Sequence, residues 1–340
     1  MNHDGDPTRA ASLVDAAVDA GADAVKFQLF EANRLMSAAS TLAEYQASAG
    51  ERDPVEMLRR LELSTDELAP IVDHAHRRGV HAIVTVFSVE LVEVASRVPW
   101  NAYKTASPDI INKPILDALI RTARPLIVST GAATLTEVGI AVDWLRSRWD
   151  RLALLHCVSC YPTLPQFASL PAMADLSELF RGPVGYSDHT QELDTGALAV
   201  RLGASILEKH ITYDRAATGP DHAMSLSPTE FAEYVVAARQ AAGEPGRIDA
   251  SDPRLSIRHK DVLEIERDVR RVSRQSIVAA RNIRRGQILQ SEDLTLKRPA
   301  GGIPPCRLSE IVGGIAARDI LANYPLCDAD VQGAVLWSVA

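Results

Sequence analysis

Val184-Gly185-Tyr186-Ser187-Asp188-His189-Thr190 and, after a helix-like run, Ser205-Ile206-Leu207-Glu208-Lys209-His210 decide the fold. Two short apolar strands are joined by one helix, and each ends in a histidine. His189 and His210 are 21 residues apart, about the reach of a short crossover helix between parallel strands. Adjacent parallel strands bring their C-terminal ends side by side. Both imidazoles then face one pocket, where neutral imidazole suits a shared divalent metal. A single histidine is more often a hydrogen-bonded core or surface residue. Two at matched strand ends point to a metal if the fold is a barrel whose top face carries chemistry.

The same unit recurs upstream. Asp6 reads as a helix cap, Pro7 as the first helical residue and Gly21 as the stop. In Ala24-Val25-Lys26-Phe27-Gln28-Leu29 the alternation puts Val25, Phe27 and Leu29 on one face and Lys26 and Gln28 on the other. Further strands are expected at 81–87, 102–105, 125–129 and 152–158, with helices at 68–78, 89–97, 114–123, 135–147 and 228–242. Strands alternating with helices mean parallel βα units. Polar groups gather at the C-terminal strand ends: Lys26, Gln28, Thr85, Lys104, Ser107, Ser129, Ser159, Tyr161, Ser187, His189 and His210. In a (β/α)8 barrel that end is the active-site face. Two lysines with several hydroxyls suit a phosphate or a carboxylate.

The chain has 340 residues, which suits a barrel of about 250 residues plus a module. A net charge of −8 argues against a general nucleic-acid binder. No run approaches the roughly 18 apolar residues of a membrane span, and no secretory signal is visible. Four cysteines make no disulfide framework here, so a reducing cytoplasm is expected. Cys157 and Cys160 form a lone Cys-x-x-Cys at a strand end and read as structural. Residues 1–245 form the barrel domain and 246–272 a charged linker. Residues 273–340 form a small module of short strands and turns.

An ordered set of motifs covers nearly the whole chain. It begins with Asn2-His3, Ala24-Val25-Lys26-Phe27-Gln28, Tyr103-Lys104-Thr105-Ala106-Ser107, Ser129-Thr130-Gly131 and Leu155-His156-Cys157. It continues with Tyr161-Pro162, Ser187-Asp188-His189-Thr190, Glu208-Lys209-His210 and Gly219-Pro220-Asp221. Together these resemble the sialic acid synthase family, the phosphoenolpyruvate-condensing N-acetylneuraminate synthases. Val278-Ala279-Ala280-Arg281-Asn282-Ile283 and Lys297-Arg298-Pro299 resemble its C-terminal antifreeze-like (SAF) domain.

The resemblance implies a TIM barrel fused to that module in a domain-swapped homodimer. Lys26, Thr85, Lys104, Ser107, Ser129, Ser159 and Ser187 would hold phosphoenolpyruvate, with Arg298 reaching in from the partner. His189 and His210 would hold a divalent ion, manganese first, with magnesium and cobalt as alternatives. Gln28, Asp109, Tyr161 and Asp221 would be catalytic and face the amino sugar, N-acetylmannosamine or a legionaminate, pseudaminate or spore-coat precursor. Three departures stand out. The family's first strand and its acidic residue are absent ahead of Asn2. Val86 and Pro108 replace a proline and a glycine. Ser159 stands where some members carry asparagine.

Two rival readings remain at this point. One is a Schiff-base aldolase with Lys104 as nucleophile. The other is an inactive carbohydrate- or partner-binding relic lacking its first strand. A seven-stranded parallel barrel leaves two unpaired edges. The expectation is therefore that the natural chain carries roughly 20 more residues upstream, including a strand that ends in an acidic residue.

Overall fold

The computed structural model describes residues 1–243 and 246–333. Seven strands form one parallel sheet in chain order: β1 (Ala24–Leu29), β2 (His81–Val86), β3 (Ala102–Thr105), β4 (Leu126–Ser129), β5 (Leu152–Cys157), β6 (Val184–Asp188) and β7 (Leu207–Lys209). A helix precedes β1, and helical segments link successive strands, as the alternating pattern requires. The first helix, Pro7–Asp19, begins as its sequence dictates: Asp6 accepts hydrogen bonds from the Thr8 and Arg9 N–H groups, and Pro7 opens the first turn. Ser64 with Glu67 and Thr134 with Glu137 close capping boxes on the helices Thr65–Arg77 and Leu135–Trp144. Val25, Phe27 and Leu29 are buried in the layer between sheet and helices. Among the described residues β7 does not pair with β1. Residues near the start lie by β7, where Asn2 Nδ2 donates to Ile211 O and Ser225 Oγ, both at 2.8 Å.

The connection from β1 to β2 carries three short helices that the sequence pattern did not indicate: Ala32–Leu35, Glu44–Ser48 and Pro54–Leu61. They pack Leu35, Met57, Leu58 and Leu61 against Phe30 and Phe87 in a second apolar cluster. This cluster walls one side of the sheet's C-terminal end.

The small domain pairs Ser276–Ala279 with Leu294–Lys297 and Ile315–Ala316 with Val331–Gln332, both antiparallel. Its core holds Ile277, Ile283, Leu289, Ile303, Ile311 and Leu326. No helix among the described residues is long and apolar enough to cross a membrane.

The charged stretch expected as a linker is a strap fastened to the large domain. Arg254 pairs with Asp194 and Asp252, and Lys260 Nζ donates to Ala133 O at 2.5 Å. Glu266 is buried, and its Oε1 accepts the Ala132 and Ser159 N–H groups at 2.7 Å each. Its Oε2 accepts from Leu263 N at 3.0 Å. Glu266→Ala strands those donors in the interior, where each unmet group costs about 1–3 kcal/mol. The expected loss is about 3 kcal/mol of unfolding free energy, read as a lowered denaturant midpoint, and an unchanged midpoint would mean the donors find other partners.

Candidate active site

The C-terminal ends of the strands surround a cavity of about 130 Å³. Period two assigns the side chains of β7: Glu208 and His210 face the cavity, while Lys209 points away and pairs with the buried Asp188 at 3.1 Å. On the neighbouring strand Ser187 and His189 point in and Asp188 points out, by the same rule.

The floor is a largely buried ionic cluster, with Lys104 buried and Lys26 and Glu208 half-buried. Glu208 Oε1 lies 3.2 Å from Lys26 Nζ, and Oε2 lies 3.3 Å from Lys104 Nζ. Burial alone would raise the Glu208 carboxyl, but Lys104 and Lys26 outweigh it and hold it well below the usual carboxylate range. Burial pulls the Lys104 ammonium down, against the attraction of Glu208. Two cations thus share one anion beneath the cavity.

Hydroxyls ring this floor. Thr85, Ser107, Ser129, Ser159 and Ser187 all line the cavity. Thr85 Oγ1, Ser129 Oγ and Ser159 Oγ are buried without a hydrogen-bond partner. Ser107 Oγ accepts from Gly131 N at 3.1 Å and lies 3.0 Å from Cys157 Sγ. A Cβ at Gly131 would stand 2.3 Å from Ser159 Oγ and 2.9 Å from Ser107 Oγ, so the backbone approaches the ring where only glycine fits. Cys157 and Cys160 are free thiols.

The opposite wall is aromatic and comes partly from outside the sheet. Tyr161 stacks between His189 and Tyr45, with ring centroids 4.5 and 4.8 Å away. Arg298 enters from the small domain, its guanidinium 5.7 Å from the Phe87 ring centroid. It belongs to the same chain as the pocket it enters. Its backbone holds it there: Arg298 N donates to Leu35 O at 2.9 Å and Ser37 N donates to Arg298 O at 3.1 Å. Gln28, Asp221 and Pro108 also line the cavity, whereas Val86 is fully buried. Asp109 lies on the turn after the cavity-lining Ser107 and Pro108 and is itself buried, with Oδ2 unpartnered. Burial, opposed by Arg298, pushes its pKa up to about 7.

The sequence profile of the NeuB family matches residues 13–249. The chain belongs to the NeuB family. The SAF domain profile matches residues 274–332. N,N'-diacetyllegionaminic acid synthase of Legionella pneumophila is 36% identical over 333 residues, 96% of this chain and 91% of that protein. Human N-acetylneuraminate-9-phosphate synthase is 29% identical, over 92% of this chain and 85% of its own. The crystal structure of the spore coat polysaccharide biosynthesis protein spsE of Bacillus subtilis has a TM-score of 0.83 at 29% identity, covering 97% of this chain and 92% of that one.

The cavity also holds residues that the sequence reading did not single out. Glu208 carried a signal, an acidic residue inward of the strand-end histidine by alternation. Tyr45, Gln46, Phe30 and Leu58 carried none, since they come from the short helices and turns of the β1–β2 connection.

The two histidines fit a divalent ion by donor type. His189 Nδ1 lies 2.7 Å from Val158 O, which fixes its proton there and leaves Nε2 with a lone pair. Burial lowers the pKa of His189, and burial with Lys26 lowers that of His210 further, so both rings are neutral. The ring centroids are 5.7 Å apart, and Asp221 Oδ2 is 3.6 Å from His210 Nδ1. No three His, Cys, Asp or Glu side chains converge on one point among the described residues. Oxygen ligands from water or substrate would complete such a site.

Proposed function

We propose that this NeuB-family synthase condenses phosphoenolpyruvate with the open-chain form of an N-acylated amino sugar, releasing phosphate. The observation that carries the reading is the floor. Lys26 and Lys104 share the single half-buried carboxylate of Glu208 beneath hydroxyls that lack partners. Such a floor has positive charge and donors to spare for a ligand with a phosphate and a carboxylate.

In this reading Lys26, Lys104, Thr85, Ser107, Ser129, Ser159, Ser187 and Arg298 hold phosphoenolpyruvate and fix its methylene carbon toward the sugar. That carbon bonds to the aldehyde carbon, the carbonyl π pair moves to the aldehyde oxygen, and that oxygen takes up a proton. Water adds to the cationic centre left on phosphoenolpyruvate, and the C–O bond to phosphate then breaks. Asp109 accepts the proton of that water. Gln28 and Tyr161 bind the sugar's polar groups. His189 and His210, with Asp221 beside them, hold a divalent ion, manganese in the first instance. The ion, when bound, supplies Lewis acidity. The sheet is read as part of a TIM barrel, and the protein as a homodimer that exchanges its SAF domains.

The sugar is proposed to carry two acetamido groups. Two relatives named N,N'-diacetyllegionaminic acid synthase, from Legionella pneumophila and Campylobacter jejuni, support this at 36% and 33% identity. The test is phosphate release from phosphoenolpyruvate with a panel of amino sugars, with and without manganese. Release that depends on a diacetamido sugar is expected. Release without any sugar, or a lysine adduct trapped by borohydride, would overturn the reading.

Asp109 gives the reaction a pH limb. Below its pKa of about 7 it is protonated and cannot accept a proton, so kcat/KM should rise with pH through about 7. Asp109→Asn should lose the limb. The same shift bears on stability. The folded protein keeps a proton that the unfolded chain releases near the ordinary value of 3.8, so this group's stabilising contribution falls as pH rises from about 4 to about 7. Denaturant midpoints of wild type and Asp109→Asn should diverge over that range, and parallel curves would remove Asp109 from the role.

A further inference from the structure

A second cavity, of about 360 Å³, lies where the strap meets the SAF domain. Arg267, Arg270, Arg271 and Arg274 line it, opposite the loop at Gly301. They belong to the helix Arg267–Ser273 and the residue after it, at spacing i, i+3, i+4 and i+7. That spacing sets four guanidiniums on one face over about two turns, roughly 10 Å. None of the lining residues described is acidic.

The carboxylates that pair with these arginines lie off the cavity. Glu137 takes Arg274 at 2.7 Å and Arg270 at 2.8 Å, Asp268 takes Arg271 at 2.7 Å, and Glu264 takes Arg267 at 2.9 Å. Four cations therefore face three anions. The Arg267 and Arg271 side chains are mostly exposed, and pairs made by such side chains yield readily to a better anion. Arg274 is 5% exposed, and its Nε is buried with no partner. One N–H of that buried guanidinium, the Nε–H, is thus left without an acceptor beside a concave basic surface.

We infer that this cavity binds a diphosphate-bearing metabolite at a site separate from the strand-end cavity. One phosphate engages one or two guanidiniums, and the length of the ladder calls for two linked anionic groups. Its occupancy reaches the active site through Ala132. Arg270 Nη1 and Arg274 Nη2 donate to Ala132 O at 2.5 and 3.2 Å. Ala132 has a φ of +49° and follows Gly131, whose N–H holds Ser107. A non-glycine residue in that region is held by its surroundings. A ligand that draws the two guanidiniums away loosens this hold and weakens phosphoenolpyruvate binding.

The test titrates sodium pyrophosphate into the full chain by calorimetry, in chelated metal-free buffer with the strand-end cavity filled by phosphoenolpyruvate. Saturable one-to-one binding is expected, at least tenfold tighter than for inorganic phosphate and at least tenfold weaker in Arg267→Ala/Arg271→Ala. Saturating pyrophosphate should raise the phosphoenolpyruvate Kd about fivefold in wild type, and less in the double variant. Absent binding, or equal binding by the double variant, overturns the site. Equal affinity for phosphate overturns the diphosphate assignment, and an unmoved phosphoenolpyruvate Kd overturns the coupling. The coupling arm rests on the proposed substrate. Pyrophosphate binding to the protein without phosphoenolpyruvate, compared between wild type and the double variant, does not, so the two failures are distinguishable.

Discussion

His189→Ala and His210→Ala are each expected to abolish binding of the proposed divalent ion and to lower turnover by roughly a thousandfold. Replacing residues that only orient a metal ligand commonly costs about 10–100-fold, and losing a ligand exceeds that. The fold should survive, because both rings stand at strand ends around a cavity rather than in the apolar layer between sheet and helices. The direct readout is metal content after gel filtration, with the denaturant midpoint as control. The depressed pKa values of both rings add a pH corollary. Protons displace a metal from imidazole only at or below the ring's own pKa, so retention should persist below the ordinary histidine range as pH falls. Full turnover in chelator-treated buffer, or an ion retained by both variants, would remove the pair from this role.

How far the site was legible depended on how far each residue's partners lie along the chain. Period two is a local signal. It located β1 through Val25, Phe27 and Leu29 and turned Lys26 and Gln28 inward, as the sheet shows. Matched strand ends brought His189 and His210 to one cavity for the same reason. The three helices after β1 were not legible because they run 4, 5 and 8 residues, too short to establish a helical period. Tyr45 was lost with them. The strap was misjudged because dense charge ordinarily means solvent. Glu266 is buried only because the Ala132 and Ser159 N–H groups, 134 and 107 residues away, meet it there. Asp109 was legible only through the family resemblance. Its raised pKa was not, since it depends on burial and on Arg298, contributed by another domain.

Arg298→Ala should lower kcat/KM by about 10²–10³, the usual consequence of removing one preorganised donor from developing negative charge. The change is selective because the contacts that seat this segment on the barrel are backbone contacts. Arg298 N meets Leu35 O, and Arg298 O accepts from Ser37 N and, at 2.9 Å, from Ser40 Oγ. Alanine keeps all three and deletes only the guanidinium. In one chain the arginine completes that chain's own cavity. Exchange of SAF domains between two identical copies would reproduce each of these contacts across a dimer. The two arrangements differ in one measurable respect. Arg298→Ala and His189→Ala protomers, each inactive, are mixed in equal amounts and allowed to exchange subunits. With swapped domains, half of the dimers are mixed and each mixed dimer has one intact site, so activity should return to about a quarter of wild type. With domains seated on their own barrels, every site keeps one defect. Recovery near a quarter is the expected result. No recovery after exchange verified by mass labelling would place Arg298 in its own chain's site.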